Sequence, residues 1–166
     1  MTKVLRIELL AEHHDRSAFD SGVEPLDRYL RTQAGQDARK KMAAIFVLVL
    51  PEEDIAGYYT LSSTAIRLPE LPEAMVRKLP RYPLIPATLL GRLAVGRIHQ
   101  AKGYGRFLLA DALYRAARNE IASFAVIVDA KDDNAKRFYE RESFLPFPDQ
   151  PMKLFRSMAD IEKLFR

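Results

Sequence analysis

The sequence predicts an α/β protein with a mixed central sheet flanked by helices. Residues 43–50 and 55–66 are two apolar, strand-like stretches joined by the turn Pro51-Glu52-Glu53-Asp54, which makes an antiparallel hairpin. Further on, strands over 87–95 and 124–129 bracket a long amphipathic helix, and this strand–helix–strand unit implies a parallel pair with a right-handed crossover. The 166 residues, 48% hydrophobic and 29% charged, suit a single domain over 1–166 whose core needs no disulfide or metal.

Residues 4–10 alternate enough for a first strand. Ser21-Gly22-Val23-Glu24 matches a capping box, and Pro25 falls in the first turn, where its missing N–H costs little. Leu26, Tyr29 and Leu30 share one face of the helix that follows, which should reach about Gln33. A second short helix is expected over 36–42. The run 43–50 reads as a buried strand, and 55–66, rich in Tyr and Thr, as its partner. Residues 68–86 hold five of the ten prolines and form a connection, with a short helix expected over 73–78. The strand 87–95 precedes a helix over 103–120, with Leu109, Ala112, Leu113 and Ala116 inward and Asp111, Arg115 and Arg118 outward. Phe124 to Asp129 is apolar enough to be covered on both faces. Asp132 or Asp133 caps a helix to about Glu142, and a last strand over 153–157 and helix over 159–165 complete the order β-α-α-β-β-β-α-β-α-β.

The chain has no cysteine, which excludes a disulfide framework, a thiolate zinc site and a cysteine nucleophile. The start, Met1-Thr2-Lys3-Val4-Leu5-Arg6-Ile7-Glu8, places charges where a secretion signal needs its apolar core, and the apolar run 42–50 is far short of a membrane span. A cytoplasmic protein with no membrane partner is expected. A net charge of +4 permits a polyanionic partner without demanding one. The three histidines, His13, His14 and His99, read as surface residues. An adjacent pair on a loop is no metal site by itself, so no metal is expected.

The most informative segment is Leu93-Ala94-Val95-Gly96-Arg97-Ile98-His99-Gln100-Ala101-Lys102-Gly103-Tyr104-Gly105-Arg106. A strand ends, a loop follows, and a long helix begins at Gly-x-Gly. A helix N-terminus offers unpaired N–H groups and partial positive charge to an anion. Gly103 and Gly105 permit close backbone approach, and Arg97, Lys102 and Arg106 add charge. The Gly-Lys-Ser/Thr ending of a Walker loop is absent, as is the third glycine of a dinucleotide fingerprint. Taken alone, the residues leave an ordinary strand–helix turn equally open.

Gln100-Ala101-Lys102-Gly103-Tyr104-Gly105 resembles the Gln/Arg-x-x-Gly-x-Gly/Ala signature of GNAT acetyltransferases. About thirty residues on, Asn134-Ala135-Lys136-Arg137-Phe138-Tyr139-Glu140-Arg141-Glu142-Ser143-Phe144 resembles that family's Ala-x-x-x-Tyr-x-x-x-Gly-Phe. The resemblance implies the GNAT acyl-CoA N-acyltransferase fold and acetyl-CoA as cosubstrate. It implies a pyrophosphate held by Gln100, Ala101, Lys102, Gly103, Tyr104, Gly105 and Arg106, and pantetheine bonded to the backbone of Leu93, Ala94 and Val95. Phe138 joins the cofactor set. Ser143 stands where the family has Gly, and Asp132 where Asn is common, so the helix end and any cofactor contact at Asp132 are open.

Acetyl transfer to an amine needs a neutral amine, a donor for the oxyanion and a proton for the departing thiolate. The resemblance puts Tyr139 in the last role, whereas the residue alone reads more readily as packing on an amphipathic helix. A backbone N–H near Ala94 or Val95 is the expected oxyanion donor. Strands 55–66 and 87–95 hold no Asp, Glu or His, so no general base stands out. A lysine amine, with a pKa of about 10.4, needs such a base more than an α-amine at about 7.7–8.0. That difference favours an α-amine acceptor.

Phe19-Asp20-Ser21-Gly22, Gly57-Tyr58-Tyr59-Thr60-Leu61-Ser62, Leu84-Ile85-Pro86, Leu90-Gly91-Arg92-Leu93-Ala94-Val95 and Met152-Lys153-Leu154-Phe155 resemble one subgroup, the GNAT toxins of bacterial type II toxin–antitoxin systems. That resemblance implies acetylation of the α-amine of aminoacyl-tRNA, a block of translation, a small ribbon-helix-helix antitoxin and a homodimer. Arg39, Lys40 and Lys41, with Arg31 nearby, and Arg77, Lys78 and Arg81 agree with a phosphate-rich substrate, though a solvated face reads the same way. Arg92, inside a core strand, must be paired or face a cleft, and is the preferred contact for RNA. A GNAT enzyme acting on a protein N-terminus or small amine, and an acyl-CoA-binding co-repressor acting with an antitoxin, are the competing readings.

Overall fold

The computed structural model describes residues 4–166; Met1, Thr2 and Lys3, part of the charged start, lie outside the described residues. Seven strands form a mixed sheet in the order β1-β2-β3-β4-β5-β7-β6. They are β1 (Arg6–Leu9), β2 (Ala44–Val49), β3 (Ile55–Arg67), β4 (Leu84–Val95), β5 (Ala125–Asp129), β6 (Leu145–Phe147) and β7 (Gln150–Ser157). The helices are α1 (Glu24–Arg28), α2 (Ala34–Arg39), α3 (Glu73–Val76), α4 (Tyr104–Arg118), α5 (Asp133–Arg141) and α6 (Met158–Glu162). Among the described residues, no helix is long and apolar enough to cross a membrane.

The chain divides into two compact units. One comprises the described residues up to Ser62 with Leu90–Ala112, the other Ser63–Leu89 with Leu113–Arg166. In the first unit β2 pairs antiparallel with β1, Arg6 opposite Val49, and with β3, Ala44 opposite Leu61. Alternation sends successive β3 side chains to opposite faces. Tyr58 therefore donates to Leu26 O at 2.7 Å on the α1 side, while Tyr59 donates to Asp111 Oδ2 at 2.5 Å on the α4 side. The helical wheel of α4 had turned Asp111 outward. Its half-buried place is set by a phenol 52 residues away. The core on the α1–α2 side gathers Phe19, Tyr29, Leu30, Ile45, Val47 and Tyr58. Fully buried Leu30 alone is worth about 1.5–3 kcal/mol.

The expected capping box does not form. Val23 is the N-cap of α1, and the Ser21 hydroxyl instead donates to Asp27 Oδ1 at 2.5 Å, while Ser21 N–H donates to the same oxygen at 2.9 Å. Asp27, one turn further on, takes the place foreseen for Glu24 because its carboxylate is buried beneath the Ser21 loop. Nor are there two separate helices here. α1 runs into α2 through a single π turn, Tyr29–Gln33.

In the second unit β7 pairs antiparallel with β5, Ala125 opposite Ser157, and with β6, Leu145 opposite Phe155. Strand β6 was not foreseen. Its core contains Ile66, Ile85, Ala87, Ile127, Phe147 and Phe155. Helix α5 begins as expected, with Asp132 Oδ1 accepting Ala135 N–H at 2.8 Å. It ends in a Schellman motif, Phe144 N–H to Tyr139 O at 3.0 Å and Ser143 N–H to Glu140 O at 3.1 Å. Ser143 adopts the left-handed φ of 68° that glycine takes there without strain. The substitution therefore preserves the helix end at a conformational cost. Ser143→Gly is expected to stabilise the protein by about 1 kcal/mol, read as a rise in the thermal midpoint with activity retained.

Candidate active site

In the first unit β4 delivers buried Ala94 and half-buried Leu93 and Val95 to its end. There Gly96 N–H bonds to Ala56 O of β3 at 2.7 Å. A short 3-10 turn, Arg97–His99, follows. The Gln100 side-chain amide then bridges two carbonyls, Val95 O and Ser21 O, each at 3.0 Å. Gln100 is thus a strut that fixes the loop against the strand end and the chain entering α1.

Beyond the strut, Ala101 and Gly103 have left-handed φ values of 64° and 82°. Loops with such residues turn successive N–H groups toward one side and make an anion-binding concavity. Tyr104 opens α4, so the N–H groups of its first turn lack intrahelical partners. Lys102 and Arg106 are exposed beside them. Arg97, expected to add charge there, is turned away: its guanidinium pairs with Asp20 at 3.3 Å. The cleft of about 370 Å³ that Arg97 and His99 line also carries Asp15, Asp20, Glu53 and Asp54, a carboxylate lining that repels phosphate. Gln100, expected to hold phosphate, has its amide spent on the two carbonyls, so the donors of 101–106 fit a pyrophosphate, and the cleft does not.

Arg92 is half-buried on β4, its guanidinium carbon 3.5 Å from the centroid of the Tyr29 ring. Arg39, Lys40 and Lys41 are exposed at the end of α2 and make no ion pair among the described residues. Arg31 is engaged locally, donating to Phe19 O at 3.0 Å and pairing with Glu24 at 3.4 Å. The buried carboxylate of this unit, Asp27, was missed from sequence and is held by Ser21. His14 corrects the surface reading: it is buried, accepts Ala11 N–H at Nδ1 (2.9 Å) and meets Glu8 Oε1 through Nε2 at 2.7 Å. That bond, first, and Arg6 hold the Glu8 carboxyl below its ordinary range. His13 brings a third donor within 4.8 Å, but with Nδ1 already accepting, His14 Nε2 carries its hydrogen and has no lone pair for a metal.

In the second unit α5 carries half-buried Phe138 and buried Tyr139. The Tyr139 ring is edge-packed on Phe138 and Phe144, with centroids 5.1 and 5.4 Å away. Its hydroxyl makes no hydrogen bond among the described residues. Burial pushes its phenol well above the ordinary tyrosine value, so it holds its proton at neutral pH. Arg77, Lys78 and Arg81 are exposed on the connection, Arg77 lying 4.0 Å from Glu73.

Residues 84–152 match the GNAT acetyltransferase domain model. A tRNA-acetylating toxin of Mycobacterium tuberculosis is 32% identical over 157 residues, 93% of each chain. The solved structure of AtaT complexed with acetyl-methionyl-tRNAfMet is 32% identical with a TM-score of 0.89, over 98% of this chain and 99% of that one. A tyrosine-to-phenylalanine mutant of AtaT, bound to acetyl-CoA and the C-terminus of the antitoxin AtaR, is 29% identical with a TM-score of 0.80, over 97% and 98% of the two chains. With this fold, this loop and relatives of matching length, the chain belongs to the GNAT acetyltransferase family.

Proposed function

We propose that the protein is a toxin that transfers the acetyl group of acetyl-CoA to the α-amino group of an aminoacyl-tRNA and so blocks translation. The observation that carries this reading is the near full-length likeness, in sequence and fold, to AtaT in complex with acetylated methionyl-tRNA. Acetyl-CoA supplies an activated acetyl thioester. The Leu93–Val95 backbone lines the pantetheine, and the loop 100–106 with Phe138 takes the rest of the cofactor. A backbone N–H at Ala94 or Val95 donates to the oxyanion as the acceptor nitrogen bonds to the carbonyl carbon. The C–S bond then breaks, and Tyr139 gives its phenolic proton to the departing sulfur. The nitrogen loses its extra proton to solvent, and no metal takes part. Arg92, Arg39, Lys40 and Lys41 bind the RNA. The protein partner is a small ribbon-helix-helix antitoxin, and the active form is a cytoplasmic homodimer.

The test is transfer from labelled acetyl-CoA to a bulk charged tRNA pool. Label is expected on the aminoacyl end and absent from deacylated tRNA. Tight acetyl-CoA binding without transfer to any charged tRNA would redirect the assignment to a protein N-terminus or a small amine.

A further inference from the structure

The helix through residues 24–39 contains one π turn, and the surrounding chain supports it. Ala34 N–H reaches back five residues to Tyr29 O, closing the π turn. Such turns are rare and often mark functional sites. Two carbonyls along this stretch take partners from elsewhere, Leu26 O from Tyr58 Oη (2.7 Å) and Leu30 O from Arg16 (3.2 Å), while Arg28 O accepts from Thr32 Oγ1 of the turn itself (2.7 Å). A turn propped in this way has a fixed output, the direction of the Tyr29 side chain.

That side chain has two attachments. Its hydroxyl donates to Asp37 Oδ2 at 2.7 Å, and Gln33 holds the other oxygen of the same carboxylate at 3.0 Å. Its ring face carries the Arg92 guanidinium at 3.5 Å. Arg92 makes no hydrogen bond or ion pair among the described residues. A guanidinium stacked by its face keeps its N–H groups in the plane, pointing sideways, where they form a rigid fork suited to phosphate. Arg92 and Ala94 lie on the same side of β4, since both meet the core that contains Tyr29. Two residues of strand separate them, about 7 Å. The fork is thus preorganised one strand repeat from the proposed oxyanion donor.

We propose that Tyr29 and Asp37, held by the π turn, are positioning residues that aim the Arg92 fork at a phosphodiester near the 3′ end of the charged tRNA, so that the aminoacyl group is delivered to the end of β4. This rests on the reading of the substrate given above. Tyr29 and Asp37 touch no reacting atom. They act through Arg92, and their loss should weaken acceptor use rather than cosubstrate binding.

The experiment measures acetyl transfer by the full chain at saturating acetyl-CoA with charged tRNA varied. It compares the wild type with Arg92→Ala, Tyr29→Leu, Tyr29→Phe, Asp37→Asn and the double variant Tyr29→Leu/Arg92→Ala. Arg92→Ala is expected to raise KM for charged tRNA about tenfold. Tyr29→Leu should reproduce most of that rise, whereas Tyr29→Phe and Asp37→Asn, which keep the ring and disturb only its anchoring, should give smaller rises. The double variant should be no worse than Arg92→Ala, because the ring acts only through the guanidinium. Acetyl-CoA affinity by calorimetry should be unchanged throughout. Should Tyr29→Leu fail to fold, Tyr29→Phe and Asp37→Asn, each combined with Arg92→Ala, give the same comparison. Independent, multiplying effects in the double variant would overturn the proposal, as would a KM change for acetyl-CoA alone, which would give the fork to the cosubstrate. A wild type inactive on every charged tRNA overturns the substrate reading itself, whereas an active wild type with unmoved variants overturns only the positioning role.

Discussion

Tyr139→Phe should lower kcat for acetyl transfer by about 10²–10⁴-fold, the range for losing a positioned proton donor. Stability should hardly change. A buried tyrosine that loses a hydrogen-bonded hydroxyl normally costs about 1 kcal/mol. Here the hydroxyl has no protein partner among the described residues, while the ring contacts with Phe138 and Phe144 survive the substitution. Stability and activity are therefore separable at this position, and a circular-dichroism melt beside the transfer assay reads both. The pH dependence provides a second check. Burial raises the Tyr139 phenol, so its protonated, donating form persists above pH 10, the ordinary tyrosine value. The wild-type rate should thus rise as the acceptor amine is deprotonated and show no fall attributable to Tyr139 up to about pH 10. The sign for stability follows from the same shift: a folded pKa above the unfolded one gives a contribution fully present below pH 10 and lost as pH climbs through the folded value. A phenylalanine variant with wild-type kcat would remove the hydroxyl from the chemistry.

The parts of the fold legible in the sequence are those governed by local patterns. The compact apolar run of β2 and the inward stripe of α4 are buried as their periodicity required. The strand–loop–helix around Gly103 is visible because a left-handed φ and an exposed helix start both leave marks in residue type. What escaped was decided by partners distant in sequence. Tyr29 and Leu30 have ordinary helical spacing, yet the helix widens into a π turn supported by Tyr58 and Arg16. Asp111 was placed outward by the wheel and drawn in by Tyr59. Strand β6 is three residues long with Pro146 at its centre, a residue that argues against a strand except at an edge, and β6 is an edge. Within the candidate site, motif spacing singles out the loop and Tyr139. The strut role of Gln100, the diversion of Arg97 to Asp20 and the seat of Arg92 on Tyr29 depend on side-chain directions that spacing does not encode.

Gly57→Ala should be among the most damaging small substitutions in the chain. Glycine inside a strand weakens it unless something comes too close for a side chain. At Gly57 an added Cβ would lie 2.7 Å from Ala94 O and 2.8 Å from Leu108 Cδ1. Neither neighbour can yield cheaply: the first is backbone in β4, and the second belongs to a leucine with 0% exposure. Overpacking of this kind costs about 1–3 kcal/mol, which lowers the thermal midpoint by roughly 2–4 °C per kcal/mol in a chain of this size. The strain would be relieved by displacing β4 at Ala94 and Val95, one residue from the 2.7 Å bond between Gly96 N–H and Ala56 O. Acetyl-CoA affinity should therefore fall together with stability, although Gly57 is not placed among the cofactor-binding residues. Gly103→Ala supplies the contrast, since nothing lies within 4 Å of its added Cβ and only the φ of 82° is opposed. It should cost about 1–2 kcal/mol of local conformational strain, acting on the phosphate loop rather than the sheet. Calorimetric binding and thermal melts of the two variants distinguish these mechanisms. A Gly57→Ala protein that melts and binds acetyl-CoA like the wild type would mean that β4 can retreat from β3 without cost and that the close approach is not what fixes the end of β4.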